Sequence, residues 1–222
     1  SLDKLQTVGA ELEKFKAAGK KVYATGSFYS QNQYFLASFA DSINLQPGGT
    51  ILLEGYGSYP MYYRSALEKL KITTHVFKVG TYKSAVEPFL RDDMSPEAKE
   101  ANSLWLTELW TTYKTEVAAR RGFEVTNFDE TFASLMEKLT AVNGDITQYA
   151  LNAKLVDTLK TREGFQQDMI ALVGADDKEK TFNQVHYKDY RKLVIPPVNV
   201  VNPLTDKVAL VVARGNIVDG SA

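Results

Sequence analysis

The sequence predicts an α/β domain with mostly parallel strand pairing, followed by a helical extension. Short apolar strands alternate with amphipathic helical stretches over residues 1–90. Ser95-Pro96-Glu97 is a strong helix start, and helical spacing then dominates up to residue 192. The composition, 44% hydrophobic and 24% charged, is that of a core-forming chain. A length of 222 residues suits one domain, or one domain and the start of another. We divide the chain into an α/β core at 1–90, a helical extension at 91–192, and, at 193–222, a linker with the first strand of an incomplete second domain.

Residues 2–18 read as a helix, with Leu5, Val8, Leu12 and Phe15 at helical spacing and Gly19 as its stop. Residues 21–25 read as a strand ending at Gly26. Residues 30–39 read as a buried helix carrying Tyr34, Phe35, Leu36 and Phe39. A short strand at 43–45, a turn at Pro47-Gly48-Gly49 and a further strand at 50–55 follow. Residues 61–70 are predicted helical, with Tyr62, Tyr63, Ala66, Leu67 and Leu70 on one side. Residues 75–79 are predicted to be a strand leading into the segment around Lys83.

In the second half, Ser95 is the predicted N-cap, Pro96 the first helical residue and Glu97 the acid of the first turn. This helix should run to Arg121 with Ala101, Leu104, Trp105, Leu109, Tyr113 and Val117 facing inward. Arg120 and Arg121 sit at the negative end of its dipole, and Gly122 ends it. Trp105 and Trp110, five positions apart, cannot share a face, which leaves one for a partner. Asn127-Phe128-Asp129-Glu130 has capping-box spacing before a helix with Phe132, Leu135, Met136 and Leu139. Asp145 and Thr161 are predicted caps of helices reaching Leu151 and Val173. Residues 174–180 read as a charged connector. Pro196-Pro197 and Asn202-Pro203 mark a stiff linker, and residues 208–212 a buried strand ending at Gly215. Both ends look cut from a longer chain.

Several function classes are excluded or disfavoured. The 26 basic and 27 acidic residues give a formal net charge of -1, which makes no electrostatic case for nucleic acid. Without cysteine there are no disulfides and no thiolate metal sites. No apolar run approaches the roughly 20 residues of a membrane span, and the N-terminus lacks the pattern of a signal peptide. His75 and His186 lie in no nucleophile-elbow context. No metal or cofactor motif is present, since both zinc and calcium spacings are missing. Gly48-Gly49-Thr50 and Gly55-Tyr56-Gly57-Ser58 lack phosphate-loop spacing and read as turns. Tyr59, Tyr62 and Tyr63 read as core or subunit-interface packing. Lys83 alone, by composition, is a solvated surface lysine. Its setting among Gly80, Ser84, Ala85, Val86, Pro88 and Phe89 is nevertheless small and apolar. Glu87 is the nearby acid, and the following Pro88 should hold it extended.

The run Gly80-Thr81-Tyr82-Lys83-Ser84-Ala85-Val86-Glu87-Pro88-Phe89, followed by Arg91-Asp92-Asp93-Met94-Ser95-Pro96-Glu97, resembles the lysine motif of the signal peptide peptidase A family, also called protease IV, in its long two-domain bacterial form. Ala153-Lys154-Leu155-Val156-Asp157 resembles a short segment recurring in that family, and residues 208–220 resemble the opening strand of its second repeat. The resemblance implies a ClpP/crotonase-like spiral repeat. It implies a Ser–Lys endopeptidase that degrades cleaved, remnant signal peptides at the membrane. Lys83 would be the general base, and the serine nucleophile would lie outside this chain. Tyr82, Ser84 and Glu87 would be supporting residues, and Ser30 a degenerate counterpart of the nucleophile position. The resemblance further implies a ring- or bowl-shaped homo-oligomer, tetrameric in the full-length form. Its place would be the periplasmic side of the bacterial inner membrane, reached through a segment outside this chain. No cofactor is implied.

A Ser–Lys dyad needs a neutral amine. Free lysine titrates near about 10.4 and a working base nearer about 7 to 8, a difference worth about 4 kcal/mol that burial of the ammonium can supply. In this chain alone Lys83 is expected to be exposed or only partly buried, and the chain inactive. Two other readings stand beside this one. A crotonase-like acyl-CoA enzyme would use paired backbone N–H groups as an oxyanion hole, although the sequence has no recognisable CoA-binding glycine segment. A non-catalytic oligomer scaffold is the other.

Overall fold

A computed structural model describes residues 1–178 and 180–194. Helix α1 (Leu2–Ala17) lays Leu2, Leu5, Gly9 and Leu12 toward the core. Val8 and Phe15, of the same predicted spacing, lie on its flank and stay half exposed. Strand β1 (Tyr23–Ser30) does not stop at Gly26 but continues to Ser30, which caps helix α2 (Gln31–Ala37). The two strands predicted at 43–45 and 50–55 are one, β2 (Ser42–Leu52). It pairs in parallel with β1 on both sides of Pro47-Gly48-Gly49. There β2 advances from Leu45 to Thr50 while β1 advances only from Gly26 to Phe28. The turn residues are thus absorbed as a bulge, which also removes the need for a ladder bond from Pro47.

After β2 the chain leaves the sheet. The helix predicted at 61–70 is reduced to α3 (Arg64–Lys69). The predicted strand at 75–79 has no ladder among the described residues. Phe77 and Val79 there are 96% and 85% exposed, so the alternating pattern exists but finds no sheet to join. Helix α4 (Glu87–Leu90) precedes the long helix α5 (Pro96–Arg121). Its predicted start and stop both hold. Ser95 accepts from the Ala98 amide, and Gly122 takes the left-handed conformation, φ 68°, that favours glycine.

The predicted inward face of α5 holds only in its second half. Tyr113, Val117 and Ala118 are buried, whereas Ala101, Leu104 and Trp105 are exposed because α5 outruns the sheet it packs on. Trp110 stacks on Tyr113 at 5.1 Å and meets Phe128 edge-on. Residues 125–128 (Val125–Phe128) form a tight turn, so helix α6 (Phe132–Ala141) begins later than predicted, capped by Thr131. Asn127, the expected cap, instead donates to the Ala153 carbonyl. Helix α7 (Ile146–Asn152) and helix α8 (Arg162–Val173) start on Asp145 and Thr161 as predicted. Between them β3 (Thr158–Leu159) joins the sheet in parallel beside β2, giving the order β1-β2-β3. The predicted connector after residue 174 contains a small antiparallel pair, β4 (Ala175–Asp176) with β5 (Thr181–Phe182). Helix α9 (Tyr187–Val194) follows. The predicted linker beyond Val194 and the strand at 208–212 lie outside the described residues.

Within the expected extension at 91–192, residues from Leu109 to Leu159 pack into the same core as residues 1–90. Asn44, 1% exposed, is the staple. Its amide donates to Thr25 Oγ1 of β1 and to the Lys160 carbonyl, each at 3.0 Å. Its oxygen accepts from the Thr158 hydroxyl at 2.9 Å and from the Lys160 amide at 2.8 Å. Three strands are joined by one side chain with its hydrogen-bonding capacity filled. Arg121 adds a fork to Asp157 and to the Lys154 carbonyl, and Asp157 accepts from the Ile43 amide. The Tyr34 hydroxyl reaches the Leu155 carbonyl at 2.7 Å.

Asn44→Ala is expected to destabilise the fold by about 3 kcal/mol, because it removes a fully buried side chain and leaves the part-buried amide and carbonyl of Lys160 without their partner. Urea unfolding followed by the fluorescence of Trp110 measures it. A loss below about 1 kcal/mol would mean that β3 is held by other contacts.

Candidate active site

Lys83 lies in a turn between the unpaired 75–79 segment and α4. Gly80 opens this turn with φ 105°, a conformation that penalises any side chain. The Lys83 amide donates to the Gly80 carbonyl at 3.4 Å. The aliphatic stem of Lys83 runs alongside Gly80, where an added Cβ would meet its Cγ, Cδ and Cε at 3.8 to 3.9 Å. The lysine is exposed, as expected, and its ammonium makes no hydrogen bond or ion pair among the described residues.

The turn is tied to α5 on both sides of Lys83. On one side the Tyr82 hydroxyl donates to Glu100 Oε2 at 3.3 Å, an exposed and therefore weak contact. On the other side is Glu87. It was expected to be extended before Pro88, but it is the first residue of α4. A tertiary bond overrides the local preference: Glu87 is only 3% exposed, and both its oxygens are occupied by Ser95. The Ser95 hydroxyl donates to Oε1 at 2.5 Å and the Ser95 amide to Oε2 at 3.1 Å. The Ser95 hydroxyl lowers the carboxyl pKa most and burial opposes it. The Ser95 amide and the positive charges of Lys78 and Arg91 lower it further. Ser84 contributes its carbonyl, which accepts from the Glu87 amide at 3.0 Å.

The other candidate residues are not brought to this turn. Ser30 sits at the strand-to-helix junction, but its hydroxyl donates to Gln33 Oε1 at 2.9 Å in a capping box, which directs its proton away from a catalytic role. His75 is exposed, and His186 accepts from the Lys188 amide. Among the described residues no cluster of three or more His, Asp or Glu could hold a metal ion. Gly48-Gly49-Thr50 lies inside the β2 bulge. Tyr63 packs on Phe89, while Tyr59 is almost wholly exposed. Grooves flank the segment. One, of about 470 Å³, lies between α3 and α4 and is lined by Leu67, Ile72 and Phe89. Another, of about 660 Å³, follows the exposed face of α5 past Leu104 and Glu108. Lys83 lines neither.

Sequence reasoning singled out Ser95 as a cap but missed its second role. It also missed Glu100 and Asn44. Glu87 and Ser95 are joined by the path of a loop, and no spacing rule announces that.

Residues 14–176 match the profile of peptidase family S49, and the chain belongs to that family. It is 41% identical to "Protease 4" of Salmonella typhi over 97% of this chain and 34% of that protein. It is 38% identical to "Protease 4" of Haemophilus influenzae over 100% of this chain and 36% of that protein. Similarity extends to "Serine protease SPPA, chloroplastic" of Arabidopsis thaliana, at 23% identity over 96% of this chain and 30% of that protein. The chain thus spans about a third of the length of these relatives. Among the described residues no helix is long and apolar enough to cross a membrane.

The depressed pKa of Glu87 makes its tie stabilising above the ordinary carboxyl range, about 4.3. The contribution is lost as pH falls through the lower folded value. Protection of the Ser95 and Ala98 amides, taken as hydrogen exchange relative to the intrinsic rate at each pH, is therefore expected to fall on acidification below pH about 4, ahead of protection in the β1–β2 ladder. Simultaneous loss of both would show that the tie has no local character.

Proposed function

We propose that this chain carries the general base of a Ser–Lys endopeptidase similar to protease 4, with Lys83 as the base and the serine nucleophile supplied by polypeptide outside this chain. The observation that carries the reading is the unpaired Lys83 amine, in a turn held from both sides against α5. Membership of a peptidase family and identities near 40% to two proteins named protease 4 support it over an acyl-CoA enzyme or a scaffold. The fold proposed for the complete protein is the ClpP/crotonase-like spiral repeat. The parallel sheet is consistent with one repeat.

In this scheme the neutral amine takes the serine proton as the serine oxygen adds to the scissile carbonyl. It then returns that proton to the leaving nitrogen, and water clears the acyl-enzyme by the same route. A lysine base needs its ammonium form penalised by burial. The exposed Phe77, Val79 and Tyr82 around the turn are apolar surface that a covering domain or subunit would bury. Exposed Leu104 and Trp105 on α5 suit a contact within a homo-oligomer, tetrameric in the full-length form. The substrates proposed are remnant signal peptides at the periplasmic face of the inner membrane, with anchoring through a segment outside this chain.

Lys83→Ala, in a polypeptide extended to the length of the relatives, is expected to lower kcat/KM on peptide substrates by about 10³-fold or more. Retained proteolysis would overturn the reading. The present chain alone is expected not to hydrolyse a peptide ester. Hydrolysis that disappears with Lys83→Ala would move the nucleophile to Ser30 or Ser84.

A further inference from the structure

Glu87 is the buried residue of a segment that is otherwise exposed or half-buried: Lys83, Ala85 and Phe89 are exposed, and Ser84, Val86 and Pro88 are half-buried. A carboxylate taken out of water is unfavourable unless its lone pairs are filled. Here each oxygen accepts one hydrogen bond, from the amide and the hydroxyl of one residue. The Ser95 hydroxyl in turn accepts from the Ala98 amide at 3.1 Å, so a chain of hydrogen bonds runs from the carboxylate into the first turn of α5. Ser95 alone suffices to cap that helix. What the carboxylate adds is a fixed link to α4, and through the Glu87 amide and the Ser84 carbonyl to the residue next to Lys83. The far half of α5 is locked in the core by Tyr113, Val117 and Arg121. The link therefore refers the position of Lys83 to the rigid part of the molecule.

We infer that Glu87 is a positioning residue for Lys83: its carboxylate fastens the Lys83 turn to the first turn of α5, so that the amine meets the reacting hydroxyl at a set distance. The inference rests on the proposed role of Lys83 as base. Displacing a base by about 1 Å costs on the order of a hundredfold in rate. Glu87→Gln keeps the shape but offers one acceptor where two are needed, and it turns its NH₂ toward a Ser95 donor. Ser95→Ala removes the hydroxyl from the other end. Ser95→Thr retains it.

The test uses the full-length protein on a peptide substrate, with kcat and KM determined separately and the melting temperature recorded. Glu87→Gln and Ser95→Ala are expected to lower kcat by about 10- to 100-fold with KM within about twofold. Ser95→Thr recovers the activity that Ser95→Ala loses. If Lys83→Ala is inactive while folded Glu87→Gln and Ser95→Ala keep the parent kcat, positioning is overturned and the role of Lys83 stands. If Lys83→Ala is fully active, the proposed function itself falls. Losses that track only the folded fraction, or that Ser95→Thr does not repair, also overturn positioning. Should Glu87→Gln fail to fold, the Ser95→Ala and Ser95→Thr pair decides, equal kcat counting against the inference.

Discussion

Half of helix α5 is embedded and half is free, and the arrangement of the chain follows from that division. From Leu109 onward the helix packs on α2 and the sheet. Its Tyr113 hydroxyl bonds the Gln31 carbonyl, and Arg120 lies over Phe39 at 3.8 Å. The first turns stand beyond the sheet and receive the Tyr82 and Glu87 ties. A 26-residue helix is stiff over this length. It behaves as a strut whose foot is set in the core and whose tip holds the turn that bears Lys83. The charges at the buried end are paired: Arg121 forks onto Asp157, and Arg120 bonds Glu116, although one Arg120 nitrogen, Nη2, is buried without a hydrogen-bond partner.

The same core explains why a chain with so short a sheet holds together. Residues far apart in sequence are brought to β2 by polar side chains as well as by apolar area. Asn44 and Asp157 link β2 to the segment around β3, and the Tyr29 hydroxyl bonds the Asn44 carbonyl from the β1 side. Each buried polar group in this set finds a partner, so the low local dielectric strengthens the bonds and removes no stability. With β3 only two residues long, these bonds are the main attachment of its strand to the sheet.

Local signals in the sequence were legible and held. Ser95, Asp145 and Thr161 cap helices, and Gly122 ends one, because capping depends on neighbours within a single turn. The alternation of strand and helix led to a parallel sheet, as found. What was not legible depends on distant residues. Pro47-Gly48-Gly49 reads as a turn, and only the register against β1 shows it to be a bulge. The inward face assigned to Ala101, Leu104 and Trp105 fails because amphipathic spacing carries no information about where the underlying sheet ends. Glu87 breaks the rule for residues before proline, since two bonds to Ser95 outweigh a modest backbone preference. The turn bearing Lys83 was legible from its motif, whereas its attachment to α5 was not.

The unladdered stretch at residues 75–79 has a practical consequence for handling the chain by itself. It is β-prone, presents Phe77 and Val79 to water, and has open backbone donors and acceptors, with Lys78 as its one formal charge to blunt them. Such a stretch is a template for copies of itself, so concentrated solutions of the isolated polypeptide are prone to self-associate there. A single charge placed at Phe77 acts as a gatekeeper, raising solubility without touching the sheet.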